Sequence, residues 1–226
     1  AFVMPTESKL PVSDEKQATE TTEAKEVPPI DYLELVVRAI DDAEDKQGGL
    51  VEKLANKYID ENGMDCTVVQ RTIEFFLQIK ESEKAAKWIQ IQLDNWDKLG
   101  GVEKGHFIQQ ANQLVVLEQK LSPLVKEVLR KLRSEVSVIP PKLFDDLFQE
   151  ISEVSSNPKI IVQITKDLSD LEDGLNLSLH KCAVQALLKN EKKSLDDLDR
   201  IYADILKEVQ KSPQSVAKED FEDFLH

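Results

Sequence analysis

The sequence predicts an all-α protein, specifically a right-handed α-solenoid of about five helical hairpins. Three observations carry that expectation. Apolar residues fall at helical spacing from Ile30 onward. Glycine is scarce, at 7 of 226 residues, and the 9 prolines sit mostly between the periodic segments, which disfavours a turn-rich β fold. Helix starts and stops also recur at a nearly constant interval, the mark of stacked units that cannot bury their apolar faces alone.

Residues 1–29, "AFVMPTESKLPVSDEKQATETTEAKEVPP", are rich in Thr, Glu, Lys and Pro and have almost no large apolar residue after Leu10. Such a stretch buries too little surface to offset its ordering entropy, so it reads as a disordered acidic tail ahead of a helical-repeat domain at 30–226. The opening "AFVMP" is the kind of border that removal of a presequence leaves, or a fragment boundary.

Tyr32, Leu35, Val36, Ala39 and Ile40 mark the first helix. Leu50, Leu54, Ala55, Tyr58 and Ile59 mark the second, after "DKQGG", and "ENGMD" stops it. Val69, Ile73, Phe76 and Leu77 follow. "AAKWIQIQLDNW" then carries Trp88, Ile89, Leu93 and Trp96 along one side of a helix that "KLGG" is expected to end. Phe107, Ala111, Leu114 and Val115 belong to the next, which His106 is expected to open.

Later starts are marked by capping side chains. Ser122-Pro123 and Asn157-Pro158 each set a capping residue before a proline at the first helical position, and Pro140-Pro141 precedes Leu143, Phe144, Leu147, Phe148 and Ile151. Ser194, with Asp197 three residues on, resembles a capping box and opens a helix whose predicted buried stripe is Leu195, Leu198, Tyr202, Ile205 and Val209. In pairs, first helices open near Ile30, Asp65, Val102, Pro140 and Asn176, with a sixth near Gln214. Second helices open near Leu50, Ser82, Ser122, Asn157 and Ser194, giving a period of mostly 35 to 40 residues. The alternative is an irregular multi-helix bundle with hairpins of similar length.

"AVQALLKN" followed by "LDDLDRIYADI", with Pro213 before the next helix, resembles a pentatricopeptide-type repeat, and "TVVQRTIEFFLQIKESEKAAKWIQIQL" is similar. The likeness covers about two of five repeats. It implies an organellar protein, mitochondrial or plastid, that either binds single-stranded RNA one base per repeat or serves as a structural part of an assembly.

No catalytic constellation is present, so the expectation is a non-enzyme without cofactor or metal. His106, His180 and His226 belong to no zinc motif, and His180 and Cys182 lie two apart, on different helix faces. "DENGMD" and "DLEDG" misplace the glycine that a calcium loop needs. Cys66 and Cys182 form no C-x-x-C pair and are expected to be free thiols. No apolar run reaches the ~20 residues that span a bilayer.

Trp88 and Trp96 read as core rather than as a base-stacking surface, because Ile89 and Leu93 continue their stripe. Lys126, Arg130 and Arg133 form one basic face opposite Val125, Leu129, Leu132 and Val136, and are the candidate partner-binding residues. Forty-three acidic against twenty-nine basic residues give a net charge of −14, which repels nucleic acid at long range. The sequence therefore favours a scaffold or assembly subunit that binds another protein, with single-stranded RNA as the alternative ligand.

Overall fold

Asp65, Ser122 and Asn157 each place a side-chain oxygen over the first free amides of a helix. Asp65 Oδ1 accepts from Thr67 N at 2.9 Å and Val68 N at 3.1 Å, Ser122 Oγ from Val125 N at 3.4 Å, and Asn157 Oδ1 from Lys159 N at 3.2 Å. These satisfy amides that have no partner within the helix, while Pro123, Pro141 and Pro158 sit where a missing N–H costs nothing. Helix ends are equally explicit. Gly63 (φ 85°) turns the chain after one helix, and Lys80 (φ 61°) and Gln119 (φ 53°) adopt the left-handed region after two others.

The computed structural model describes residues 31–136, 139–155, 157–171, 177–190 and 195–211, the side chains of 208, 209 and 211 excepted. Those residues form α1 (Tyr32–Asp41), α2 (Gly48–Asn62), α3 (Cys66–Gln78), α4 (Ser82–Asp94), α5 (Gly101–Glu118), α6 (Pro123–Glu135), α7 (Pro141–Val154), α8 (Pro158–Ser169), α9 (Leu177–Lys189) and α10 (Leu195–Lys211). Two 3₁₀ turns, Asp45–Gln47 and Trp96–Lys98, complete the regular structure, and no strand occurs among the described residues. The described residues are all-α, and α1 to α10 belong to one compact unit. The expected disordered tail, the Ser194 cap, Val209 in the last stripe, Pro213 and the sixth helix near Gln214 lie outside the described residues.

The odd-numbered helices follow one another. α3 touches α1 and α5, α5 touches α7, and α7 touches α9. Each even helix packs on its odd hairpin partner, and α2, α4 and α8 also lean on the odd helix that follows. The core runs along these contacts, with Trp88, Trp96, Phe76, Phe107, Phe144 and Phe148 among its largest fully buried side chains. Polar ties between hairpins join residues at related separations. Lys87 reaches Glu52 at 2.6 Å across 35 residues, Gln110 Nε2 reaches the Gln70 carbonyl at 3.1 Å across 40, and Lys126 reaches Asp167 at 3.2 Å across 41.

Three expectations need correction. Trp96 lies in the 3₁₀ turn beyond α4, and Gly100 and Gly101 cap and open α5 instead of closing the helix before it. His106 therefore sits inside α5, exposed, rather than at its start. Of the predicted α10 stripe, Ile205 is buried and Leu198 part-buried against the core, but Leu195 and Tyr202 are exposed, and Asp197 and Ile201 are buried instead. That helix carries apolar residues on two adjacent stripes, and only packing against α8 and α9 decides which turns inward. Leu35 and Leu50 also face solvent, whereas Val36, Ile40, Val51 and Ala55 fill the core beside them.

Candidate functional site

The odd helices present three grooves in succession. The first, about 170 Å³, lies where α1 and the turn after it meet α3, and includes Asp41, Asp45, Arg71, Glu74 and Gln78. The second, about 660 Å³, lies among α3, α5 and α7. Its apolar surface is Leu77, Val116, Leu117 and Val154, and its polar surface includes Glu74, Gln78, Lys80, Gln113 and Glu150. The third, about 330 Å³, lies between α7 and α9, with Asp145, Gln149, Glu153, Gln185 and Lys189 around Phe148 and Cys182. Glu74 and Gln78 line both the first and the second. No residue of an even helix lines any of the three.

Equivalent positions supply the central groove. Glu74, Gln113 and Glu150 are 39 and 37 residues apart, and Gln78, Leu117 and Val154 repeat the same two steps. Lys80 and Gln119, the two non-glycine residues in left-handed conformation among those described, are also 39 apart and both line it. These are the tight turns that end α3 and α5.

The groove's charges are unevenly compensated. Arg71 is held between Asp41 at 3.8 Å and Glu74 at 3.1 Å. Glu74 also accepts from Gln110 Nε2 at 3.4 Å, and the Oε1 of that buried glutamine has no hydrogen-bond partner. Among the described residues, no cation lies within ion-pair distance of Glu150. Burial pushes its carboxyl up from the ordinary range, and the neighbouring Asp146 and Glu153 push it further in the same direction. Glu153 accepts only a hydrogen bond from Gln149 Nε2, at 3.3 Å.

Burial pushes the Cys182 thiol up, with Asp145 adding to it, and Cys182 Sγ donates weakly to the Pro141 carbonyl at 3.9 Å. Burial likewise raises Cys66, reinforced by Asp65 and Glu103. Both cysteines are free. His180 is buried with its Nε2 3.5 Å from Ser169 Oγ, and His226 lies outside the described residues. No cluster of three metal-ligating side chains occurs among the described residues, and no helix there is long and apolar enough to cross a membrane.

The predicted basic face lies on α6, an even helix, away from the grooves. Its buried side is as expected, with Val125, Leu129 and Leu132 buried and Val136 part-buried. Lys126 is paired with Asp167 of α8, and Arg133 donates to the Val136 carbonyl at 3.0 Å, closing the end of its own helix. Arg130 is the exposed member. Two of the three cations thus serve the fold. Sequence analysis singled out this face and passed over the groove positions of α3, α5 and α7, whose signal was two sets of positions repeating at steps of 39 and 37 residues.

No family model matches the chain, and no curated protein or solved structure shows significant similarity to it.

Proposed function

We propose that the chain is a non-catalytic α-solenoid scaffold of five helical hairpins that holds another protein along the shared face of its odd helices. The observation that carries this reading is that the three grooves described above, among the described residues, are lined from odd helices and their turns alone. An array in which each hairpin contacts its neighbours presents such a continuous face as a consequence of repetition. The order of helix neighbours, and polar ties spanning 35 to 41 residues, support the repeat. The grooves' carboxylates favour a protein ligand over RNA, because a phosphate backbone would meet Glu74, Glu150 and Glu153.

A photo-cross-linking residue at Gln113, exposed in the central groove, should capture protein from an extract of the source cells. The same residue at Lys53, exposed on α2, should not. Adducts at Gln113 that nuclease removes would instead identify the face as an RNA surface. Submicromolar affinity for single-stranded RNA with a steep salt dependence would do the same.

A further inference from the structure

We infer that the occupant of this face is a basic segment of a partner protein, which sets Lys or Arg side chains against the unpaired carboxylates of α7 and inserts an apolar side chain beside them. The inference rests on the scaffold reading and specifies its ligand.

The anchor follows from what is left uncovered. Across α3 to α8, the exposed large hydrophobics are Val102, at the start of α5, and Val154, at 58% exposure in the central groove. Val154 adjoins Leu77, Val116 and Leu117 in a space of about 660 Å³. That volume falls within the range of roughly 300–1,000 Å³ that encloses compact organic ligands, so a Leu, Phe or Trp side chain has room to enter. An apolar floor with a charged rim is the arrangement by which grooves take amphipathic segments.

The charge of the occupant follows from pairing. Arg71 is already committed to Asp41 and Glu74. Among the described residues Asp45, Asp145, Glu150 and Glu153 have no ion pair; Lys80 is the one cation lining the central groove and Lys189 the one lining the third. The half-buried Glu150, repelled by Asp146 and Glu153, gains from a cation placed beside it.

Other occupants fail the same test of charge. A second copy of this chain carries −14. Residues 1–30 of the chain itself hold six acidic and three basic side chains, so that segment is acidic as well.

A random-peptide display library selected on the full-length chain tests the inference. Enriched peptides should carry net positive charge and a large apolar residue. A synthetic representative should bind roughly tenfold or more weakly to the Glu150→Lys/Glu153→Lys double variant, and also to Val154→Asp. Its affinity should fall with added salt, and Arg130→Glu on α6 should leave it unchanged. Circular dichroism and thermal melting of each variant check that these surface changes leave the fold intact. Neutral or acidic peptides that Val154→Asp abolishes would overturn the basic occupant and keep the scaffold. Binding that depends on the carboxylates and ignores Val154→Asp would overturn the anchor. If no selected peptide responds to any groove variant, the scaffold reading falls too.

Discussion

Glu135 and Glu150 are both carboxylates on helices, and their surroundings drive them in opposite directions. Glu135 Oε1 accepts from Lys104 Nζ and from Trp96 Nε1, each at 2.7 Å, and the same ammonium lies 5.0 Å from the Trp96 ring centre. The Lys104 hydrogen bond first, and the Trp96 bond second, hold its carboxyl below the ordinary range. A depressed carboxylate contributes stability that is present above its unfolded pKa, about 4.3, and is lost as pH falls through the lower folded value. Glu135→Gln should therefore lower the melting temperature at neutral pH, and the deficit should close as pH falls below the depressed folded value of the carboxyl. Glu150 has the reverse sign, because a raised folded pKa makes the ionised form a burden. Glu150→Gln should raise the melting temperature at neutral pH, reflecting a gain of under about 1 kcal/mol for so open a site, and that gain should vanish on acidification. Melts of both variants across that range check the two signs together. A gain in stability from removing Glu150, joined to a loss of peptide binding, is the trade expected where a side chain is kept for its ligand.

At the scale of the element, α10 and the two left-handed turns make separate demands. Ile205 is 1% exposed while Asp204 beside it faces solvent. Ile205→Ala should cost on the order of 2–5 kcal/mol, and Asp204→Ala well under ~1 kcal/mol. Equal losses in urea unfolding would mean that the helix is rotated from its described orientation. Gln119 holds φ at 53°, which costs a side chain with a Cβ roughly 1–2 kcal/mol. Gln119→Gly removes that strain but frees the unfolded chain by about 0.4–1 kcal/mol, so the strain outweighs the entropy. The variant should gain a few tenths to about 1 kcal/mol in the same assay. A destabilised Gln119→Gly would show that the side chain's contacts at the groove mouth matter more than its backbone.

For the whole molecule, the testable quantity is distance. Cys66 opens α3 and Cys182 lies within α9, with α5 and α7 between those helices. At about 10 Å per helix step, the cysteines should stand roughly 30 Å apart, far beyond the ~7 Å between Cα atoms that a disulfide tolerates. Mild oxidation should leave two free thiols, and spin labels at these positions should report a long separation. A disulfide formed without unfolding would rule out an extended array. The distribution of uncovered apolar surface agrees with an array. Of the nine exposed large hydrophobics among the described residues, seven lie on α1, α2, α9 and α10, the first and last described hairpins.

Helix existence was written in the sequence because its causes are local. Asp65, Ser122 and Asn157 cap helices from two or three residues away, and prolines at 123, 141 and 158 act within a single turn. Apolar periodicity likewise placed Phe107, Leu114, Phe144 and Ile151 in the core. Choices between equivalent local options were not legible. Leu195 and Tyr202 were as apolar as Ile201 and Ile205, and contact with α8 and α9 selected the second stripe. Lys126 and Arg133 carried the charge of a docking face, but Asp167 and the Val136 carbonyl, brought close by folding, absorb them into the structure. The same assembly leaves Glu150 beside Asp146 and Glu153 without a cation, above the apolar floor at Val154. Short-range hydrogen bonding and burial preference thus determined where helices begin and which residue types they hide. Which faces meet, and so which carboxylates are left unpaired beside a groove, depends on contacts between residues nearly forty positions apart, and only the tertiary structure decided it.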